Sequence, residues 1–487
     1  MKLKKADDLT KIRKEGMKSL APARTRITVG MATCGLAKGA GKVYEALKYE
    51  LKKQKVKADP VVVGCNGLCY AEPIVEVIRP GKPRITYGNV SIEKVNELIA
   101  SIKSGTVLKD LVLMRQDKYK TPVGTESIQY AKGKLPKAYS GIKESQRLDF
   151  YKRQMKLVSG SAGTVSPESI EEYCALGGYQ ALVSALTTMD SEDVIKQVSV
   201  SKLRGRGGAG FPTGVKWQTC RQADDDTKYI VCNGSEGDPE IGMHRSFLES
   251  DPHLVIEGML IAGYAVGAQE GYIYLNDKYT VALERLDGAI AQAEKLGLLG
   301  KNILGSELSF TIKVKRGGGA YVCGEETALL NALEGSFGEP RPRPPYPAEK
   351  GLFGKPTVVN NLETLATIPV IILKGGKWFA GIGTPASKGT KIVALSGNVE
   401  QSCWVEVPLG TGIKDVIDTF GRGAANGKKI KAFQAGGPSG GILPAKSLKM
   451  KLDYDQLSKA GSLLGSGGLL VMDEDTDMLD MAKFFVD

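Results

Sequence analysis

Histidine is nearly missing from this chain: of 487 residues only His244 and His253 carry an imidazole. No zinc motif and no Ser/His/Asp triad stands out. His253 reads as a capping or packing residue, while His244 flanks a loop rich in polar groups. Long apolar runs are missing too. The longest, Leu254–Val266, is too short to cross a membrane and contains Glu257. The N-terminus is charged and has no apolar core, so it does not read as a secretory signal. The expected location is cytoplasmic, without direct membrane insertion. Without a signal, the eight cysteines point to metal ligation or plain burial rather than to disulfides. Aromatics make up only 7% of the chain, and Lys103–Lys156, where much of the net charge of +12 is concentrated, has only five scattered ones. That basic stretch therefore reads as a solvated surface or a dock for an acidic partner, not as a nucleic-acid site.

The remaining composition, 42% hydrophobic and 25% charged, is that of an ordinary globular chain of about three domains. Glycine, by contrast, is concentrated. Residues 205–214 hold five glycines, and Lys216 and Trp217 follow. Backbone without Cβ atoms can bring successive N–H groups against an anion or a ring edge. Gly205, Arg206, Gly207, Gly208 and Ala209 make the loop, Phe211 offers a flat apolar face, and Lys216 offers charge. A second loop follows a strand read over Ser309–Lys315. It runs from Arg316 through three glycines to Tyr321, Gly324, Glu325 and Glu326 at the opening of a helix. Strand, glycine loop and helix in that order describe a nucleotide site at the carboxyl end of a sheet. Glu325 and Glu326 sit where a helix dipole favours negative charge. A phosphate would compete with them, so they read as binders of hydroxyl or amide groups. Lys228–Cys232 reads as a buried strand that ends in the polar run Asn233, Ser235, Glu236 and Asp238. The stiff segment Pro340–Pro347 can hold Arg343 and Tyr346 over a pocket.

These motifs, with the run Asn360, Asn361 and Thr364, resemble the flavin- and NADH-binding subunit of respiratory complex I. They resemble equally the diaphorase subunits of NAD-linked and electron-bifurcating hydrogenases and formate dehydrogenases. The likeness runs from about residue 140 to the C-terminus, with a weaker one over about 25–115. It implies an α/β multidomain chain. Residues 1–115 would form a basic lead-in and a thioredoxin-like, ferredoxin-type domain, and 116–150 a linker. A Rossmann-like FMN/NADH domain would follow over 151–380, a small β-grasp domain over 381–450, and the start of a helical bundle over 451–487. Relatives continue into an iron–sulfur cysteine run, whereas here no cysteine follows Cys403.

The resemblance also implies roles. FMN would take contacts from Gly205, Arg206, Gly207, Lys216, Asn233, Glu236, Tyr321, Gly324, Asn360, Asn361 and Thr364, the last three holding its phosphate. Adenine would stack on Phe211 and Tyr346, Glu326 would meet ribose hydroxyls beside Arg343, and Asp238 would face the nicotinamide. The sequence departs from the pattern at Ser235, where aspartate is usual, at Glu240, where glycine is usual, and at His244 and Thr219. Cys34, Cys65 and Cys69 would ligate a [2Fe–2S] cluster. The family's fourth cysteine falls at Val29, which leaves open a non-cysteine ligand, a partner's ligand or no cluster. Cys220, Cys232, Cys323 and Cys403 read as buried thiols. The activity implied is hydride removal from NADH, with electrons passed singly to iron–sulfur centres of partner subunits. A flavin-less docking scaffold of the same fold is the alternative.

Overall fold

The computed structural model describes residues 3–121, 123–124, 126–238 and 242–486. The chain is a mixed α/β, multidomain protein. The N-terminal sheet has five strands in the spatial order Ala58–Val63, Thr25–Gly30, Val75–Ile78, Arg84–Tyr87 and Val112–Gln116. The first pair is parallel and the rest antiparallel. Helix Ala40–Lys53 makes the crossover and buries Val43, Leu47 and Leu51, spaced one turn apart, against Val29 and Val75. The basic stretch after residue 103 has more structure than its lysines suggest. It supplies the edge strand Val112–Gln116 and a short hairpin, Lys118–Lys120 with Ser127–Gln129. Strands this short carry too few alternating positions to be told from loop.

The central sheet is all parallel, in the order Thr311–Gly317, Glu270–Asn276, Tyr229–Gly234, Thr357–Asn361. The chain therefore builds outward from Tyr229–Gly234 in one direction, then returns to lay Thr357–Asn361 on its other side. Where the winding reverses, the crossovers leave a crevice at the carboxyl ends of the two strands. Asn233 and Asn361 are register partners at that point. Helices Pro252–Val266 and Leu362–Lys374 pack together under the sheet and carry much of the largest core. Ahead of the sheet, helix Ser191–Ser201 is capped by Asp190, whose carboxylate accepts from Asp193 N at 2.8 Å. Helix Ile170–Ala175 is capped by Ser169, whose Oγ accepts from Glu172 N at 3.2 Å.

The third sheet orders Cys403–Pro408, Thr390–Gly397, Gly468–Asp473, Ile430–Ala435 and Ile442–Pro444. Residues expected to begin a helical bundle thus put a fully buried strand, Gly468–Asp473, into the middle of this sheet before helix Met478–Val486. Every residue of that strand is buried, so its apolar run has no helical face to show.

Candidate active site

The glycine loop Gly205–Gly210 leads into helix Thr213–Gln222, and strand Thr311–Gly317 leads through Tyr321–Gly324 into helix Glu326–Leu333. The two meet at the reversal of the central sheet and enclose a cavity of about 680 Å³, a size that suits a mononucleotide with room beside it. Its wall includes Gly205, Gly207, Gly208, Ala209, Phe211, Lys216, Asn233, Gly324, Glu325, Glu326, Arg343, Tyr346, Asn360 and Asn361. Five separate stretches of sequence thus converge on one cavity.

The loop needs its glycines. A Cβ at Gly207 would lie 3.0 Å from Asn361 Cβ, and Gly210 has φ +64° with Tyr454 only 2.7 Å from where its Cβ would sit. The floor is polar. Asn360 Oδ1 accepts from Trp217 Nε1 at 2.8 Å, and Asn361 Oδ1 caps the helix Leu362–Lys374 by accepting from Glu363 N at 2.9 Å. With both oxygens engaged, the Nδ2 donors are what these amides offer the cavity. Asn233 Nδ2 donates to Gly324 O at 2.9 Å and so ties the first strand to the second loop.

Charge is arranged across the cavity. Lys216 Nζ lies 2.7 Å from Glu326 Oε2 and 3.0 Å from Val359 O. Arg343 reaches Glu326 at 3.5 Å and Glu325 at 3.8 Å. Glu325 caps its helix, its Oε2 accepting from Thr327 N and Ala328 N at 2.9 Å each. The segment carrying Arg343 and Tyr346 is pinned from behind, where Arg341 N donates to Thr327 Oγ1 at 2.8 Å and Arg341 Nε to Asn331 Oδ1 at 2.7 Å. Phe211 and Tyr346 keep about half their surface exposed at the rim, 52% and 55%.

Six expected contacts are not part of this lining, five of them turned into the protein and the sixth, Tyr321, exposed. Arg206 is fully buried and turns away: its guanidinium donates to the carbonyls of Thr390, Arg204 and Lys388, which clamps the small sheet to the loop. Thr364 is also buried, its Oγ1 accepting from Arg206 N at 2.8 Å, so it shapes the loop rather than facing the cavity. Ser235 Oγ donates to Asn233 Oδ1 at 2.8 Å and orients that amide. Glu236 caps helix Met243–Ser250 through His244 N at 2.7 Å and Arg245 N at 2.9 Å, and burial raises its carboxyl despite His244 beside it. Asp238 lies against Gly437 of the small sheet. Tyr321, partly exposed, bonds Ser439 Oγ at 2.7 Å. Glu240 falls outside the described residues.

Nothing in the sequence pattern joins His244 to the small sheet. Its buried ring sits between Glu236, 3.6 Å away, and Glu363, 3.3 Å away, and Glu363 pairs with buried Lys391. Burial opposes the charge on Glu363, but Lys391 and His244 overcome it and hold the carboxyl near 2. His253 is stacked on Tyr173 and bonded to Tyr179, and burial keeps it neutral down to about pH 3.

In the N-terminal unit the sulfurs of Cys34, Cys65 and Cys69 lie within 4.8 Å of one another. This thiol set, with Cys65 buried and Cys34 and Cys69 partly so, fits an iron–sulfur centre in its donor chemistry. The other five cysteines are buried. The loops carrying the trio dock on helix Met243–Ser250, where Thr33 N donates to Glu249 at 2.7 Å and Ser250 Oγ to Cys65 O at 3.3 Å. One helix, ~12 Å long at 1.5 Å per residue, thus links the Glu236 loop to the cysteines.

Residues 198–370 match the family described as the Nuo51 FMN-binding domain. The NADP-reducing hydrogenase subunit HndC of Solidesulfovibrio fructosivorans is 51% identical over 336 residues, covering 69% of this chain and 68% of that protein. The chain belongs to the family of FMN-binding subunits of complex I and the NAD-linked hydrogenases. Within it, an NADH-quinone oxidoreductase subunit of Rhizobium meliloti (strain 1021) is 43% identical, over 65% of this chain and 76% of its own. The NADH-quinone oxidoreductase subunit of the same type from Escherichia coli (strain K12) is 39% identical, over 65% of this chain and 72% of its own. The fold also resembles a chain of the NAD+-reducing [NiFe]-hydrogenase in its air-oxidized state, with TM-score 0.56 and 26% identity, covering 98% of this chain and 76% of that one. Family membership makes this an oxidoreductase flavoprotein subunit. Among the described residues no helix is long and apolar enough to cross a membrane.

Proposed function

We propose that this chain is the NADH-oxidising FMN subunit of a larger iron–sulfur complex, of the kind that serves a hydrogenase or formate dehydrogenase, and that it works in the cytoplasm. The observation that carries this is the cavity at the sheet reversal, which both glycine loops and the Asn360–Asn361 floor line. FMN fits it by donor chemistry: a glycine cradle that Cβ atoms would fill, amide donors at a helix start, and one lysine.

Bound FMN would supply the conversion of a two-electron hydride into single electrons. The chain's own residues do the rest. Asn360 and Asn361 hold the phosphate at the start of helix Leu362–Lys374. Lys216 offsets negative charge at the ring. Phe211 and Tyr346 stack the adenine of NADH, and Glu326 accepts from its ribose hydroxyls while Arg343 keeps Glu326 in place. Together they would orient NADH for hydride transfer to the flavin. Two carboxylates beside the ribose disfavour a 2′-phosphate, so NADH is the preferred donor even though one relative is named NADP-reducing. Cys34, Cys65 and Cys69 would hold a centre able to take up single electrons, as would a partner's clusters. In finer terms, the N-terminal sheet is read as thioredoxin-like, the central sheet as Rossmann-like and the Thr390–Asp473 sheet as β-grasp.

The test is NADH-dependent reduction of an artificial dye by FMN-reconstituted protein. No reduction by a chain that has taken up FMN removes the enzymatic reading. A chain that takes up no FMN is the docking scaffold.

A further inference from the structure

We propose that Glu72 is a metal ligand which completes, with Cys34, Cys65 and Cys69, a set of three thiolates and one carboxylate around the N-terminal iron–sulfur centre. The proposal rests on the reading of those cysteines as cluster ligands.

The thiols are one donor short of four. Val29, where the family has cysteine, cannot supply it, since its side chain lies in the hydrophobic core of the sheet. The carboxylate arrives from elsewhere. The turn Cys69–Ala71 brings Glu72 back toward the end of strand Thr25–Gly30, one residue beyond Val29. There Glu72 Oε1 lies 3.9 Å from Cys34 Sγ, and Glu72 Oε2 accepts from Ile74 N at 2.7 Å. Two glycines make the room: a Cβ at Gly30 would sit 3.0 Å from Oε1, and one at Gly35 3.1 Å from Oε2.

Glu72 is 1% exposed. A buried carboxylate needs a countercharge or several donors. Its neighbour Glu76 has both, in Arg84 and in the hydroxyls of Thr28 and Thr86. Among the described residues Glu72 joins no ion pair; one backbone amide donates to Oε2, and the Cys34 thiol, a weak donor, to Oε1. A metal ion facing Oε1 supplies the missing charge. Cys65 and Cys69 sulfurs are 3.8 Å apart, as two thiolates on one tetrahedral metal are when each bond is about 2.3 Å, and Cys34 Sγ lies within 4.8 Å of both. Carboxylate and thiolate carry the same charge, so exchanging one for the other alters the potential through the donor atom and its hydrogen bonds rather than through net charge.

The test uses the full chain reconstituted anaerobically with ferrous iron and sulfide, assayed for iron, acid-labile sulfide and the EPR spectrum after dithionite. Glu72→Gln should retain iron and sulfide ~10-fold less well or worse. Glu72→Cys should retain both, with shifted g values and a changed midpoint potential, and it carries the test if Glu72→Gln fails to fold. The exposed control Glu97→Gln should match the wild type. Wild-type iron, sulfide and EPR in Glu72→Gln, or a wild-type spectrum and potential in Glu72→Cys, overturns the assignment of Glu72 and leaves the cluster reading standing. A wild-type chain that takes up no iron and sulfide sinks both.

Discussion

Lys216 Nζ stands 2.7 Å from Glu326 Oε2, so the helix after the first glycine loop is bonded to the helix after the second. The pair closes one side of the cavity. A side chain from each loop is therefore already in place where a reduced dinucleotide would lie over a flavin, and Glu326 has its charge balanced before any ligand arrives.

Glu326→Gln should raise the KM for NADH ~10-fold or more, because a charge-assisted bond to a ribose hydroxyl is worth roughly 1.5–3 kcal/mol. The kcat should change little. Steady-state dye reduction separates the two, and an unchanged KM takes Glu326 out of the dinucleotide site.

Two glycines of one loop should behave differently. Gly207→Ala puts a methyl against Asn361 on the cavity floor, so FMN should bind ~10-fold more weakly while the fold survives. Gly210→Ala must hold φ +64° and meet Tyr454 at 2.7 Å. Backbone strain alone costs about 1–2 kcal/mol there, and the melting temperature should fall. Flavin-fluorescence titration and thermal unfolding read the two effects; equal behaviour contradicts the assignment of one glycine to ligand and the other to packing.

Acid should act through the buried pair Glu363–Lys391. The folded Glu363 carboxyl is held near 2, below its usual 4.5. A depressed acid stabilises the fold above its unfolded value and loses that contribution as pH falls from about 4.5 to about 2. Glu363→Gln should be less stable at pH 7, because Lys391 is left unpaired, and its stability should fall less steeply in that acid window. Urea unfolding at several pH values measures this, and parallel slopes for the two proteins contradict it.

Much of the site is legible in the sequence because glycine spacing is a backbone property. Both loops and the strand before the second follow from local pattern, and the Asn360–Asn361 floor follows from the family resemblance. Side-chain direction does not. Nothing near Arg206 tells that its guanidinium serves the carbonyls of Thr390 and Lys388, nearly two hundred residues later. Thr364 likewise looks like a ligand contact, yet its hydroxyl is taken by a backbone amide. Glu72 stands three residues after Cys69, a spacing visible in the sequence, but its approach to Cys34 depends on how the loop after the second strand folds back. The strand Gly468–Asp473 is missed for a plainer reason: buried on both faces, it has no alternation to show.

The central claim is that FMN sits between the two glycine loops with NADH against it. The most direct test is anaerobic addition of equimolar NADH to the FMN-loaded chain, followed by absorbance. The account predicts that the flavin band bleaches in the wild type and bleaches only at higher NADH in Glu326→Gln. A flavin that binds but stays oxidised under excess NADH, or a chain that never takes up FMN, contradicts it.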